Sequence, residues 1–561
     1  MKIVGINYLS ESSVCLMVNG KIISAISEER LNRLKNWYGL PFKSINLILK
    51  KNNLKVSDID YFVTSGLSSI TKDMPNLQVI ESKIEKIHLS KLNKKIKNIQ
   101  IKFLRNRAKH ENHVINFRTK RLLNKLKKNY KKLIIYDHHL SHAASACYNS
   151  GFKKCLCLTI DGWGDNSSSK IYQFSNGKLK EISSTPTIDS LGYFYGSITK
   201  LLGFKPHQHE GKVLGLAAYG SSKIARKEIS QMISYDKKLR KFQGNYENGL
   251  YQASFKNKNL EFLKKKYSKK NIAAAAQYTL EKVVLSCVKS LSKKKINLAL
   301  AGGVFANVKL NQKINELKNT KNIFVFPNMG DGGLAVGGAQ LCHFNKTNKI
   351  PKKIENMYLG NQFSEKNILK ALKKYKVKYY KSRFIEKEIA NFLAKGNVVA
   401  HFNGKIEFGP RALGNRSILC AADDPNINKS LNKKLKRTEF MPFAPIIMEK
   451  YVSKYLNINK EKDLYKFMTI TCRCKSKMIK EAPAAVHIDN TARPQVVRLK
   501  DNLRIHRILQ EYNFITRIPI LINTSFNMHE EPIVYSPEDA LRVYLDGKLD
   551  YLIINDFVIK K

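Results

Sequence analysis

Short apolar runs that break into tight turns recur along this chain, and that rhythm limits what it can fold into. Leu133–Tyr136 runs into Asp137-His138, and Cys155–Asp161 into Gly162-Trp163-Gly164. Asn297–Leu300 runs into Ala301-Gly302-Gly303, and Ile323–Phe326 into Gly330-Asp331-Gly332-Gly333. Strands alternating with helical stretches and glycine turns predict an α/β protein. The start is different. Lys2–Asn7, Ser13–Val18 and Lys21–Ser27 read as strands, with Asn19-Gly20 as a two-residue hairpin turn. Helices over Phe42–Lys51 and Asn271–Ser292 and a strand over Tyr61–Thr64 extend the outline. The polar stretch 344–356 contains Pro351 and suits a linker. It divides the chain into 1–345, a linker at 346–356, and 357–561.

Charge adds a second constraint. The 561 residues carry 100 Lys and Arg against 44 Asp and Glu, a formal net charge of +56. Phosphates, acidic substrates and nucleic acid would all suit that sign. Lysine outnumbers arginine 81 to 19, so most of the charge is lysine used as the default surface residue. Residues 91–132 hold 16 Lys or Arg and one acid, Glu111. Ile101, Phe103, Leu104, Leu122, Leu123 and Leu126 recur there near helical spacing, so a basic helical insertion is expected over about 85–132. It reads as a lid or solvated face, and nucleic acid is not an expected partner. From Arg411 onward there are 10 Arg against 16 Lys, and before it 9 against 65. Arginine persists where a planar fork is needed for phosphate or carboxylate.

No apolar run approaches the ~18 residues of a membrane span, and the opening strand is unlike a signal peptide. Nine cysteines are scattered without a Cys-x-x-Cys pair, which excludes a zinc ribbon. Reduced thiols and a cytoplasmic location are therefore expected.

Three groups of residues can carry chemistry. His138 and His142 are four apart at the start of a predicted helix, so both imidazoles share one face. With Asp331, at the end of a strand, they would form a two-His, one-carboxylate site suited to Fe, Mn or Zn. The competing reading is ordinary capping of two helix starts. Gly162, Gly164, Gly302, Gly303 and Asn307 lie in strand-then-glycine turns that let a nucleotide approach backbone amides. Lys212, in Glu210-Gly211-Lys212, adds a cation in what reads as a similar turn. Arg411, Arg416, Lys436, Arg437, Arg493, Asn523 and Ser525 gather forked cations with amide and hydroxyl donors, as a small phosphorylated ligand requires.

At these motifs the chain resembles the O-carbamoyltransferase family, which includes nodulation carbamoyltransferases and those acting on tobramycin or cephems. The resemblance runs through Glu28–Arg33, Asp137–Ala146, Glu210–Gly220, Gly302–Asn311, Gly409–Ser417, Arg493-Pro494-Gln495 and Leu521–Pro532. It implies two domains. The larger, over 1–345, is similar to the tRNA threonylcarbamoyl transferases of the actin-like ATPase class. The smaller, over 357–561, is similar to the α/β enzymes that make threonylcarbamoyl-adenylate.

The resemblance implies that carbamoyl phosphate and ATP, with Mg, yield carbamoyl-adenylate in the smaller domain. The carbamoyl group then passes to the hydroxyl of a small molecule or glycan in the larger. Carried over residue by residue, His138, His142 and Asp331 match metal ligands usually assigned to iron. Arg411, Arg416, Lys436, Arg493, Asn523 and Ser525 match the carbamoyl phosphate and ATP pocket, with Arg411 and Lys436 expected in catalysis. Gly302, Gly303 and Asn307 match the adenylate turn.

The chain departs from the pattern in places. The family usually has a His before an Asp-Ser-Ser near the first hairpin. Here the segment is Tyr8-Leu9-Ser10-Glu11-Ser12-Ser13, so Glu11 or Ser10 would have to serve as base. Asn36 stands where many members have His, and Met441 where some have Arg. Two rival readings stay open: a tRNA threonylcarbamoyladenosine-type enzyme, and a binding homologue without turnover. The acceptor expected is a glycan or secondary metabolite, and a homodimer is among the open assemblies.

Overall fold

The computed structural model describes residues 1–66, 83, 84, 86–88, 90–110, 117–255, 257–438, 440–458 and 462–560. The expected antiparallel opening is present: β1 (Lys2–Asn7), β2 (Ser13–Val18) and β3 (Lys21–Ser27). Asn19 and Gly20 both take positive φ, 47° and 79°, as the tight turn between β2 and β3 requires. Two further strands, β4 (Tyr61–Ser65) and β5 (Leu133–Tyr136), add in parallel beside β1. The order of this sheet is β3-β2-β1-β4-β5.

A second sheet repeats the plan. A meander of β6 (Lys154–Gly164), β7 (Ser167–Ser175) and β8 (Lys178–Pro186) comes first. A separate two-stranded ribbon follows, β9 (Ile233–Asp236) with β10 (Lys241–Gly244). Then β11 (Ile296–Ala301) and β12 (Thr320–Val325) join beside β6 in parallel, giving β12-β11-β6-β7-β8. Two like-ordered mixed sheets make this half α/β, as the alternation of strands, helical stretches and glycine turns predicts.

The two sheets are joined by exchanged helices. The helix His138–Ser150 leaves the first sheet after β5 and packs on β6 and β11 of the second. The helix Leu334–Thr347 leaves the second sheet after β12 and packs on β1, β2 and β4 of the first. The two helices also pack on each other. Glycine permits this approach: a Cβ on Gly337 would lie 1.9 Å from the Ser141 carbonyl oxygen, and one on Gly5 2.0 Å from that of Ala335. The exchange brings the starts of both helices to one cleft.

The C-terminal half is an eight-stranded mixed sheet. In spatial order its strands are Tyr379–Lys381, Phe557–Lys560, Tyr551–Ile554, Val399–Phe402, Arg416–Ala421, Ile520–Ser525, Ala444–Met448 and Gln495–Val497. The helices Ile385–Ala394 and Leu503–Thr516 cover one face, packing Ile389 and Ile508 against Val399 and Leu419.

Two expectations are adjusted here. The stretch 346–356 is no free linker, because the helix before it runs to Thr347 and the chain then lies along the first sheet. Lys352 N–H donates to the Gly20 carbonyl, and Ala25 N–H to that of Leu359. Part of the basic insertion expected over 85–132 is the helix pair Lys94–His110 and Phe117–Asn129. Residues 85, 89 and 111–116, with Glu111, lie outside the described residues. Ile101, Leu123 and Leu126 are buried as their spacing implies, whereas Phe103 is exposed.

The halves are bolted together by named contacts. Buried Arg30 donates to the Gly409 carbonyl at 2.9 Å, and Arg33 to those of Pro532 and Ile533 at 2.7 Å each. Asn311 donates to the Thr469 carbonyl at 2.7 Å. All nine cysteines are buried free thiols. Among the described residues, no helix is long and apolar enough to cross a membrane.

Candidate active site and metal centre

Asp137 starts the first exchanged helix, accepting the Leu140 N–H at 2.8 Å and pairing with Lys170 at 3.1 Å. His138 and His142 then project together into the cleft. Gly164 makes room for the first, since a Cβ there would fall 2.2 Å from the His138 ring. Asp331 arrives from the start of the other exchanged helix. Asp161, near the end of β6, closes the group.

His142 Nε2 lies 3.2 Å from Asp161 Oδ2 and 3.5 Å from Asp331 Oδ1. His138 Nε2 lies 3.8 Å and 3.6 Å from the same two atoms. One donor atom from each of the four residues lies within 4.8 Å of every other. Both imidazoles are buried, and none of their ring nitrogens has a hydrogen-bond partner. Two buried nitrogens and two carboxylates converging on one point fit a divalent cation, the residue chemistry suiting Fe, Mn or Zn. His139 turns away, 2.9 Å from Thr159 Oγ1 and 3.1 Å from the Ser167 carbonyl, as its angle on the helix requires.

Electrostatics reflect this crowding. Burial works against charge on His138, yet Asp331 and then Asp161 outweigh it and push its pKa up to about 9. Asp161, although buried, is held well below the usual carboxylate range by His138 and His142. Glu11, in the β1–β2 turn, is raised to about 7, first by burial and then by Asp331, against the opposing Gly332 N–H at 3.2 Å.

Across from this centre lies the C-terminal half. One cavity of about 590 Å³ opens between them. Glu11, His138, Asp161 and Asp331 line one wall, and Arg411, Arg437, Arg493, Asn523 and Ser525 the other. Gly162, Gly164, Lys212, Gly303 and Asn307 also border it. The Arg411 loop is folded around buried Glu407, whose Oε1 accepts the amides of Leu413, Asn415 and Arg416.

Several residues singled out in the sequence sit elsewhere. Arg416 is fully buried, 3.5 Å over the Phe402 ring, and donates to the carbonyls of Asn403, Gly404 and Asn415. It braces the loop and does not line the cavity. Lys436 is exposed in a left-handed turn at φ 55°. Its neighbour Arg437 faces the cavity instead, donating to Thr524 Oγ1 at 2.9 Å and to the carbonyls of Ser525 at 2.7 Å and Asn527 at 2.8 Å.

Lys212 lies on the helix Glu210–Ala217 and not in a glycine turn, and its Nζ donates to Thr438 Oγ1 at 2.9 Å. Gly302 does not border the cavity; its φ of 99°, and the 2.2 Å at which a Cβ there would meet the Ile160 carbonyl oxygen, exclude a side chain. Gly303 N–H reaches Asp161 Oδ2 at 3.3 Å. Asn307 caps the helix Val308–Asn315. Asn523 donates to Gln495 Oε1 at 2.7 Å. Asp161 escaped notice as a ligand because Asp161-Gly162 reads first as a turn. Its signal was an acid at the end of a strand, as at Asp331.

An arginine-lined wall faces an imidazole–carboxylate cluster across one cavity, so one side can offset anionic charge and the other can hold a cation. The relatives narrow this. Residues 2–340 match the family described as Carbamoyltransferase N-terminus, and residues 390–561 the family described as Carbamoyltransferase C-terminus. The chain belongs to the carbamoyltransferase family and is a transferase.

It is 36% identical to the uncharacterized protein MJ1051 of Methanocaldococcus jannaschii, covering 100% of this chain and 99% of that one. It is 30% identical to the nodulation protein NolNO of Sinorhizobium fredii, covering 99% and 79%. Among solved structures, T. kodakarensis HypF aligns over 62% of this chain and 48% of its own, at 12% identity and a TM-score of 0.33.

Proposed function

We propose that this protein is an ATP-dependent O-carbamoyltransferase. One observation carries the reading: the arginine wall and the imidazole–carboxylate cluster share a single cavity. Carbamoyl phosphate and water give carbamate and phosphate at the arginine wall. A carbamate oxygen then attacks the α-phosphorus of ATP and pyrophosphate leaves, giving carbamoyl-adenylate. Arg411, Arg437 and Arg493 offset the anionic charge that gathers as pyrophosphate departs. ATP carries Mg.

The mixed anhydride crosses the shared cavity without meeting bulk water. An acceptor hydroxyl attacks the carbamoyl carbon, AMP leaves, and the product is an O-carbamate. Glu11, with its raised pKa, takes the hydroxyl proton. A divalent cation held by His138, His142, Asp161 and Asp331 would supply Lewis-acid polarisation. A hydroxyl on a glycan or secondary metabolite is the acceptor class proposed. The N-terminal half, 1–345, carries transfer and residues 357–561 adenylate formation.

The test pairs two readouts on two variants. Arg411→Ala should abolish carbamoyl phosphate-dependent pyrophosphate release. His142→Ala should keep that release but lose carbamate formation in an acceptor screen read by mass spectrometry. Pyrophosphate release that needs no carbamoyl phosphate would end the proposal.

A further inference from the structure

The helix Lys94–His110 carries two apolar faces. One is spent on the fold: Ile101 is buried in the core of the second sheet, with Leu104 packed against it. On a 100° helical wheel the opposite face is formed by Ile96, Ile99 and Phe103, and Leu92 continues it just before the first turn. All four are exposed, Ile99 by 61% and Phe103 by 66%. Such a stripe at helical spacing costs solvation, and among the described residues no apolar cluster includes it. Exposed Lys91, Lys95 and Lys102 run along one flank of it.

We propose that this stripe is a docking ridge for an anionic lipid surface, lying in the headgroup layer with its apolar side chains in the acyl boundary. Charge selects the occupant. A second copy would bring lysine row to lysine row on chains of formal charge +56, so like charges would meet. An anionic surface would instead be attracted by the lysine rows and the exposed Lys120, Arg121, Lys125, Lys127 and Lys128 of the following helix. Shape narrows it further. The stripe is a convex ridge on one helix, which enters a deformable interface, whereas a partner helix would need a groove. Nucleic acid would use the lysines but leave Ile99 and Phe103 in water.

The placement has a consequence for the cavity. The helix rests on Thr187–Asp189, the turn that leads into the helix Leu191–Leu201. That helix supplies Gly192 and Tyr195 to the cavity wall. A chain seated by its ridge would therefore hold the cavity near the lipid surface.

The experiment is flotation of the full-length protein with phosphatidylcholine vesicles, with and without phosphatidylglycerol. The expected result is retention on the anionic vesicles alone, reduced at least about ten-fold in the double variant Ile99→Glu/Phe103→Glu at unchanged melting temperature. A Phe103→Trp variant should shift its emission to the blue on anionic vesicles, reporting insertion. Retention that survives Ile99→Glu/Phe103→Glu and vanishes with moderate salt would reduce the effect to diffuse positive charge and overturn the proposal. Retention on RNA at physiological salt without vesicle binding would overturn it too.

Discussion

His142 Nε2 lies 3.2 Å from Asp161 Oδ2, closer than either histidine lies to Asp331. Asp161 is thus as much a part of the centre as the three residues whose spacing announced it. Asp161→Asn keeps the shape and removes the charge, leaving two buried imidazoles facing one carboxylate. Bound metal, measured by elemental analysis after dialysis against limiting Fe, Mn or Zn, should fall at least about ten-fold. Pyrophosphate release should persist, because the arginine wall is untouched. Full metal occupancy in Asp161→Asn would remove it from the ligand set.

The same geometry sets a pH dependence. Without metal, Asp331 and Asp161 overcome burial and raise His138 to about 9, so it is protonated at pH 7. A cation must displace that proton. Affinity should therefore rise about ten-fold per pH unit toward pH 9 and level off above it. Glu11 adds to the release, because a cation at Asp331 removes part of the repulsion that raises its pKa. Calorimetry at pH 7 in two buffers of different ionisation enthalpy should report at least about one proton released per ion bound. A flat affinity from pH 6 to 9 would contradict this ligand set.

Neighbouring cations should separate cleanly. Arg437 uses its fork to hold Thr524, Ser525 and Asn527 at the cavity wall, while Lys436 points to solvent. Arg437→Lys loses the planar geometry and should cut carbamoyl phosphate-dependent pyrophosphate release at least about ten-fold. Lys436→Ala should stay within about two-fold of the parent. Equal losses in both variants would return Lys436 to the site.

What the sequence revealed follows from range. The hairpins and strand ends rest on local rules, so Asn19-Gly20 and the strand bounds around it were legible. His138 and His142 share one helix, so their convergence was legible as well. Asp161 and Asp331 meet them only because the helices after β5 and β12 cross to each other's sheet, a contact between residues far apart in sequence. The exchange of roles between Lys436 and Arg437 turns on one left-handed residue, and no periodicity reports that. Arg416 carried the motif's charge, but its partners are the carbonyls of Asn403 and Gly404, in the turn after the preceding strand, and of Asn415, which only the folded loop brings near.

The loop bearing Arg411 also carries an acid-sensitive support. His401, buried in the strand Val399–Phe402, sets Nδ1 2.6 Å from the Gly414 carbonyl, so that nitrogen is the donor. Burial, with smaller contributions from Arg504 and Arg416, lowers its pKa to about 3 despite that bond. Unfolding returns it to about 6.5. A folded pKa below the unfolded one means this stability is present above pH 6.5 and is lost as pH falls from there toward 3. At pH 5 the loss is about 2 kcal/mol.

His401→Asn keeps an N–H donor near the Nδ1 position and cannot take up a proton there. The fall in melting temperature between pH 7 and pH 5 should be smaller in that variant than in the parent. Parallel falls in the two proteins would show that the acid sensitivity arises elsewhere. Because folded His401 takes up its proton only near pH 3, its bond to Gly414 and the Arg411 loop should stay intact in the folded parent at pH 5, while metal binding follows the separate titration of His138.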